Sequence, residues 1–180
     1  ILFHHDGREE LILKINYRIE GKGLPRKFAW IITVPNEPDK YAIADRKLFR
    51  EMHDWSEKVA RLRHRDSKGA LVEFSQGLEF GKLARVGPYE IQPVRALGME
   101  AHDGLNRWLA ENGFPTEDPK HMEWFVRNRF TFLCVKVTPP AEGMSVASGG
   151  EVPPLHLSFR SETPYYPLRF SSRQGVFDLN

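Results

Sequence analysis

Short stretches with the two-residue period of a β-strand, each ended by glycine or proline, most constrain how this chain folds. In residues 10–19 one face of the predicted strand is apolar, and it consists of Leu11, Leu13, Ile15, Tyr17 and Ile19. A second strand is predicted over residues 26–34 and ends at Pro35, because proline cannot donate to a sheet ladder. The Asp6-Gly7 pair is typical of a tight hairpin turn. The first 35 residues therefore predict an antiparallel meander.

The rest of the chain alternates between further strands and helices. Strands are predicted over residues 89–96, 130–137, 155–160 and 166–171. Asp45 is expected to cap a long helix that ends near Arg63. The helix is predicted because the apolar residues of this stretch recur every three or four positions. Two shorter helices are predicted over residues 100–111 and 118–128. These elements predict an α+β fold, a largely antiparallel β-sheet with one long and two short helices packed against it.

The length of 180 residues suits one α+β domain over residues 1–180, with loop-rich parts at 66–88 and 139–153. A single cysteine excludes an intramolecular disulfide framework and any multi-cysteine metal site. No apolar stretch within these residues is long enough to span a membrane. Because both ends of the sequence have strand character, we expect the chain to be a segment of a longer protein, and the family resemblance described below implies that this protein is exported.

The charge of the chain is nearly balanced, since 26 lysines and arginines oppose 24 aspartates and glutamates. The densest basic stretch lies in residues 58–68, at the end of the predicted long helix. Cations at a helix C-terminus complement its dipole, so a solvated helix end is the simplest interpretation. An anion or nucleic-acid binder acting through this stretch is the second alternative, and the balanced charge disfavours nucleic acid as a partner.

Histidine followed by aspartate is the most visible candidate for chemistry. The dipeptide occurs at His5-Asp6, His53-Asp54 and His102-Asp103. Neighbouring side chains on a strand or helix are expected to diverge, and the sequence lacks the His-Glu-x-x-His spacing of a hydrolytic zinc site. A metal-dependent hydrolase assembled from scattered His and Asp residues therefore remains an alternative, while the sequence itself predicts no metal site.

Other catalytic signatures do not occur in the sequence. There is no Gly-x-Ser-x-Gly elbow, and neither glycine-rich phosphate-binding spacing is present. Cys134 lies in a predicted buried strand, where burial would raise its pKa and leave the thiol inert. We therefore predict no cofactor, and the sequence favours a non-catalytic domain over an enzyme.

Aromatic residues supply the candidates for binding. Trp124 lies off the apolar stripe of its predicted helix, so it is expected to be exposed and to serve as an anchor for a partner. Tyr165 and Tyr166, which lie beside a predicted turn, form a second candidate. These three residues are the predicted binding residues.

Several local motifs resemble a bacterial family catalogued as domain of unknown function 2330. The motifs are residues 5–11 (HDGREEL), 28–30 (FAW), 34–35 (VP), 86–90 (VGPYE), 105–109 (LNRWL), 111–114 (ENGF) and 166–170 (YPLRF). The resemblance implies an N-terminal signal peptide, in some members a C-terminal anchor, and a location outside the cytoplasm, in the periplasm or cell envelope. It implies no catalytic residues. With it, the sequence favours an envelope-associated binding or structural domain whose partner is an envelope protein or a glycan.

Overall fold

The computed structural model describes residues 1–14, 16–18, 28–45, 47–48, 73–75, 77–98, 100–137 and 149–171. The strands are β1 (Leu2–His5), β2 (Arg8–Leu13), β3 (Asn16–Arg18), β4 (Phe28–Val34), β5 (Lys40–Ile43), β6 (Glu73–Ser75), β7 (Leu78–Phe80), β8 (Ala84–Val86), β9 (Tyr89–Ala96), β10 (Thr131–Val137), β11 (Gly149–Glu151) and β12 (Leu155–Arg160). The helices are α1 (Ala101–Glu111), α2 (Pro119–Arg127) and α3 (Leu168–Ser171). Mostly antiparallel sheets with helices confirm the predicted α+β class.

The first sheet has the strand order β1-β2-β12-β5, and all of its pairs are antiparallel. Strands β1 and β2 form the predicted hairpin, whose turn residues Asp6 and Gly7 both have positive φ, at 50° and 68°. Two consecutive residues with positive φ match the right-handed twist of the paired strands, and Asp-Gly tolerates that conformation. The hairpin places His4 opposite Glu9.

The second sheet has the order β4-β10-β9-β7-β6, with β8 paired to β9. Strand β10 is an interior strand of this sheet and pairs along its whole length with both β4 and β9. All residues of β10 except Lys136 are buried, so both faces of this sheet are covered. A third, two-stranded sheet consists of β3 and β11.

Two hydrophobic cores show what covers the faces of the second sheet. Leu133 and Val135 pack with Leu157 of the first sheet, so one core fills the space between the sheets. Phe132 and Cys134, which point the opposite way, pack with residues of α1 and α2. The described elements therefore form three layers, sheet on sheet on helices, and the predicted burial of Cys134 is confirmed.

The two short helices are confirmed at their predicted places. In α2 the Oδ1 atom of Asp118 accepts a hydrogen bond of 2.8 Å from the backbone N–H of Lys120, and Pro119 occupies the first helical turn. Asp45 likewise accepts from the backbone N–H of Lys47 at 2.8 Å. The rest of the predicted long helix, with the basic stretch at its end, lies outside the described residues. No helix within the described ranges is long and apolar enough to cross a membrane.

Three predictions about strands are wrong. The strand predicted over residues 10–19 ends at Leu13, and Asn16–Arg18 pairs with β11 instead. The meander fails because β4 joins the second sheet rather than continuing the first. The part of residues 66–88 that the structure describes contains three short strands, β6 to β8, although we expected mainly loop.

The strand predicted over residues 166–171 is also wrong, because this stretch contains α3. Pro167 cannot donate to a sheet ladder, and its fixed φ suits the first turn of a helix. The short helix lets Phe170 enter the core beside α2, where its ring lies 5.2 Å from that of Phe125. Burial of Phe170 thus outweighs the local preference for an extended chain.

Candidate functional site

Residues 161–171, here called the strap, run from the end of the first sheet to the helix side of the second. The backbone N–H of Ser161 donates to the carbonyl oxygen of Gly7 at 3.0 Å, which ties the strap to the β1–β2 turn. His4 Nε2 lies 2.8 Å from the Ser161 carbonyl oxygen, and because a carbonyl only accepts, this ring nitrogen donates. The strap therefore begins at a fixed point.

Tyr165 holds the middle of the strap through its backbone, hydroxyl and ring. Its backbone N–H donates to Glu9 Oε2 at 2.7 Å, and its hydroxyl lies 3.0 Å from Thr33 Oγ1. Its ring lies 5.1 Å from that of Phe130. Burial raises the pKa of the Tyr165 hydroxyl, so this group is a neutral hydrogen-bonding group at physiological pH.

The end of the strap packs against α2. The guanidinium of Arg169 lies over the ring of Trp124, 3.8 Å from its centroid. The ring of Phe170 lies 5.9 Å from that of Phe132, and His121 Nε2 donates to the Phe170 carbonyl oxygen at 2.8 Å. These contacts fix the strap at its second end.

Two of the three predicted binding residues, Trp124 and Tyr165, thereby lie in one place. The ring of Phe130 is 5.1 Å from that of Trp124 and 5.1 Å from that of Tyr165. Tyr166, the next residue of the strap, is 42 % exposed. We call Trp124, Phe130, Tyr165 and Tyr166 the aromatic site, a set of rings that can offer contact area together with polar atoms at its edge.

Two of the predicted binding residues are less accessible than expected. Trp124 is partly buried between Arg169 and the rings of Phe125 and Phe130, and Tyr165 is also partly buried. Phe130 and Arg169 were missed, because the sequence shows neither that Phe130 links the two candidates nor that the strap turns back over α2. The HDGREEL and YPLRF motifs could have pointed to this site. Glu9 belongs to the first motif and Tyr165 directly precedes the second, and the two residues are joined by a hydrogen bond.

Glu9 is the buried carboxyl that supports the strap from below. The residue is 0 % exposed, and its Oε1 atom has no hydrogen-bond partner among the residues that the structure describes. Burial raises the pKa of Glu9 above its ordinary value, and the Tyr165 N–H and the neighbouring His4 offset only part of that effect. Burial therefore shifts the protonation equilibrium of Glu9 toward its neutral form.

This raised pKa predicts how stability depends on pH. Between the ordinary pKa of 4.5 and the raised value, the folded chain binds the proton more strongly than the unfolded chain, so Glu9 lowers stability as pH rises through that window. We expect Glu9→Gln to remove this contribution. The free energy of unfolding of the variant should therefore increase relative to that of the wild type as the pH increases from 4.5 to 7. Urea unfolding at both pH values measures the shift, and Glu111→Gln controls for the lost surface charge. A constant difference across this range would contradict the assignment.

A second polar cluster lies where the two sheets meet at one end. Arg95 Nη1 lies 3.4 Å from Glu79 Oε2, and Arg95 Nη2 donates to Thr131 Oγ1 at 3.0 Å. Glu37 reaches this cluster from the loop between β4 and β5 and lies so close to Gly81 that a side chain there would overlap its carboxylate. Burial raises the pKa of Glu37, while the nearby Arg95 acts in the opposite direction. This cluster fastens the β4–β5 loop to the second sheet.

The outer face of the first sheet carries a cluster with superficially catalytic composition. The hydroxyl of Ser158 donates to Glu10 Oε1 at 2.7 Å, and His156 Nε2 pairs with Glu10 Oε2. A nucleophile activated by a carboxylate has this arrangement. Ser158, however, is 2 % exposed, so its hydroxyl serves to position Glu10 in this structure.

The histidine–aspartate pairs do not converge. His5 Nδ1 lies 2.8 Å from Asp6 Oδ2, and His102 Nδ1 lies 2.9 Å from Asp103 Oδ1, so our expectation that neighbouring side chains diverge is wrong. The first pair lies at the end of β1, in the first sheet. The second pair lies on α1, which packs on the face of the second sheet that points away from the first sheet. The pair His53-Asp54 lies outside the described residues. In the part of the chain that the structure describes, no three His, Cys, Asp or Glu side chains are grouped as metal ligands.

Comparison with known proteins connects this architecture to one family. No curated protein and no solved structure matches the chain. The family described as "Uncharacterized protein conserved in bacteria (DUF2330)" matches residues 1–176, a range that includes the three sheets, the helices and the strap. The chain belongs to this family of bacterial proteins of unknown function.

Proposed function

We propose that this chain is a non-catalytic binding domain of the bacterial cell envelope, which contacts an envelope protein or glycan through the aromatic site. The observation that carries the proposal is that Tyr166 is 42 % exposed and directly follows Tyr165, whose ring packs on Phe130. Tyrosine and tryptophan are enriched among the residues that dominate binding energy, because they bury large area and keep a polar atom at the edge.

The anchoring of the strap supports this use of Tyr166. The neighbouring Tyr165 is hydrogen-bonded to Glu9 and Thr33 on two different strands, and its ring packs on Phe130. A residue next to such an anchor loses little backbone freedom when a partner binds. Preorganised surfaces gain affinity because this ordering cost is already met in the free protein.

The location outside the cytoplasm is part of the same proposal and rests on the family resemblance. We expect the native full-length protein to separate with the periplasmic or envelope fraction of the cell, and recovery with a cytoplasmic marker enzyme would overturn this part. Cell fractionation followed by immunoblotting distinguishes the two results.

Binding through the aromatic site is tested with Tyr166→Ala. We expect the variant to fold normally and to bind isolated cell-wall and envelope preparations at least about tenfold more weakly, a loss of about 1.4 kcal/mol. Phe3→Ala is the matched control, because Phe3 is 49 % exposed but belongs to β1 and not to the aromatic site. Co-sedimentation measures both, and equal binding by Tyr166→Ala and wild type would overturn the proposed site.

A further inference from the structure

Strand β4 is an edge strand of the second sheet, because β10 is the one strand that pairs with it among the residues that the structure describes. The other edge strands of the two larger sheets each carry an ionisable side chain, since β1 ends in two histidines, β5 begins with Lys40 and β6 begins with Glu73. Charged side chains commonly protect an edge against pairing with another chain. The sequence of β4, FAWIITV, contains no ionisable residue and no proline, so its edge lacks that protection.

The hydrogen bonds of the neighbouring strands show which way the peptide groups of β4 point. The Pro93 carbonyl oxygen accepts from the Gly81 N–H at 3.0 Å, and the Leu97 N–H donates to the Gly77 carbonyl oxygen at 2.8 Å. The odd-numbered residues of β9 therefore direct their peptide groups toward β7. Because this direction alternates along an antiparallel strand, the even-numbered residues of β9 direct theirs toward β10.

The same alternation, followed across the sheet, determines the free edge of β4. Gln92 on β9 is paired with Cys134 on β10, so the even-numbered residues of β10 bond to β9 and its odd-numbered residues bond to β4. Each odd-numbered residue of β10 is paired with an even-numbered residue of β4. The N–H and C=O groups of Ala29, Ile31 and Thr33 therefore point away from the sheet.

The strap occupies one end of this edge. Thr33 is fully buried, and its Oγ1 atom lies 3.0 Å from the Tyr165 hydroxyl. Toward the other end, no backbone hydrogen bond joins the outward groups of Ala29 and Ile31 to another residue of the described ranges. The side chains of both residues pack in the core on the helix side, so the backbone is what they offer at the edge.

We infer that two copies of this chain associate by pairing their β4 strands, antiparallel, about a twofold axis at Trp30. In this register Ala29 lies opposite the partner's Ile31, which gives two hydrogen-bonded pairs without moving the strap from Thr33. An antiparallel strand paired with its own copy is self-complementary, as a twofold interface requires. This surface is distinct from the aromatic site, so the inference goes beyond the proposed function and does not depend on it.

Charge favours a second copy as the occupant of this edge. When a strand pairs with itself about a twofold axis, a charged residue near the axis faces a like charge, which destabilises the pair. No residue of β4 is charged, so self-pairing meets no such repulsion. The net charge of the whole chain is only +2, so two copies repel each other weakly. A strand from a different protein would not require a neutral β4, because opposite charges across the pair would favour it.

The inference is tested with Ala29→Pro, which removes one outward N–H group from each copy and leaves the bonds to β10 intact. Proline is tolerated on an edge strand where its nitrogen faces away from the sheet. Each hydrogen-bonded pair loses one bond and keeps an unsatisfied carbonyl group, so self-association should weaken at least about tenfold. Ala29→Ser, which keeps the N–H group, is the matched control and should associate as wild type does. Sedimentation equilibrium over a range of protein concentrations measures the mass of each.

Hydrogen exchange of the wild-type chain is a second readout, which decides the matter if Ala29→Pro does not fold. The amides of Ala29 and Ile31 should exchange more slowly at concentrations where the mass is that of two chains. The amide of Ile43 also points outward, because the next N–H, that of Ala44, donates to the Pro154 carbonyl oxygen at 2.9 Å, and its exchange should not change. The mass of a single chain at every concentration, equal association by folded Ala29→Pro and wild type, or equal exchange of Ala29 and Ile31 in the one-chain and two-chain states would each overturn the inference.

Discussion

Replacement of Phe125 by alanine is expected to lower the free energy of unfolding by about 3–5 kcal/mol, the range for removing a large aromatic ring from a packed core. Phe125 is fully buried, and its ring lies within 5.1–5.5 Å of the rings of Trp124, Phe130 and Phe170. The remaining rings cannot close the cavity without breaking their own contacts, so the cost includes both lost burial and the empty volume. Urea unfolding measures the change.

The same substitution should also weaken binding, because the ring of Phe125 packs both against the aromatic site and against the end of the strap. Trp124 belongs to α2 and Phe170 to the strap, and both lose a shared neighbour in Phe125→Ala. Phe125→Leu, which fills part of the volume, should give a smaller loss of stability, and Phe3→Ala should stay within about 0.5 kcal/mol of wild type. A loss below about 1 kcal/mol for Phe125→Ala would show that these rings do not form the rigid support described here.

Replacement of Arg95 by methionine is expected to lower the free energy of unfolding by about 2–3 kcal/mol at neutral pH. Removing one partner of a buried ion pair costs about 3–5 kcal/mol, and partial solvent exposure of Arg95 and Glu79 reduces that figure. Methionine keeps most of the apolar stem but leaves Glu37 and Glu79 without the nearby cation. The loss is therefore electrostatic rather than a loss of packing.

The dependence on pH separates this explanation from a packing defect. Arg95 counteracts the increase in the pKa of Glu37 that burial causes, so its removal should raise that pKa further. A raised carboxyl pKa lowers the free energy of unfolding at pH values above the pKa of that group in the folded chain. This cost disappears as the pH falls below the pKa of the group in the unfolded chain. The deficit of Arg95→Met should thus shrink as pH decreases from 7 toward 4.5, whereas a deficit that is equal at both pH values would contradict the electrostatic cause. Arg85→Met, at an exposed pair, is the control.

Features defined by neighbours in sequence could be predicted from the sequence. Asp118 and Pro119 mark the start of α2, and Asp6-Gly7 forms the turn of the first hairpin. In each case the signal and the structure involve the same few residues, so the physical cause is local. The buried strand around Cys134 follows from its run of apolar residues in the same way.

Features that depend on distant partners could not be predicted. A strand pattern does not state which sheet the strand joins, so β4 was assigned to the first sheet although it pairs with β10 in the second. The sequence predicts a strand over residues 166–171, but the burial of Phe170 beside α2 requires a turn and a short helix there.

The aromatic site shows this division most clearly. The sequence by itself identified Trp124, Tyr165 and Tyr166 as candidates, because an aromatic residue off an apolar stripe or beside a turn is recognised locally. Only the tertiary structure decided that Trp124 and Tyr165 meet around Phe130 and that Arg169 covers Trp124. Their meeting depends on Glu9 and Thr33, which hold the strap in place through hydrogen bonds between residues far apart in the chain. Such contacts form only when the layers assemble, and no local pattern of residues encodes them.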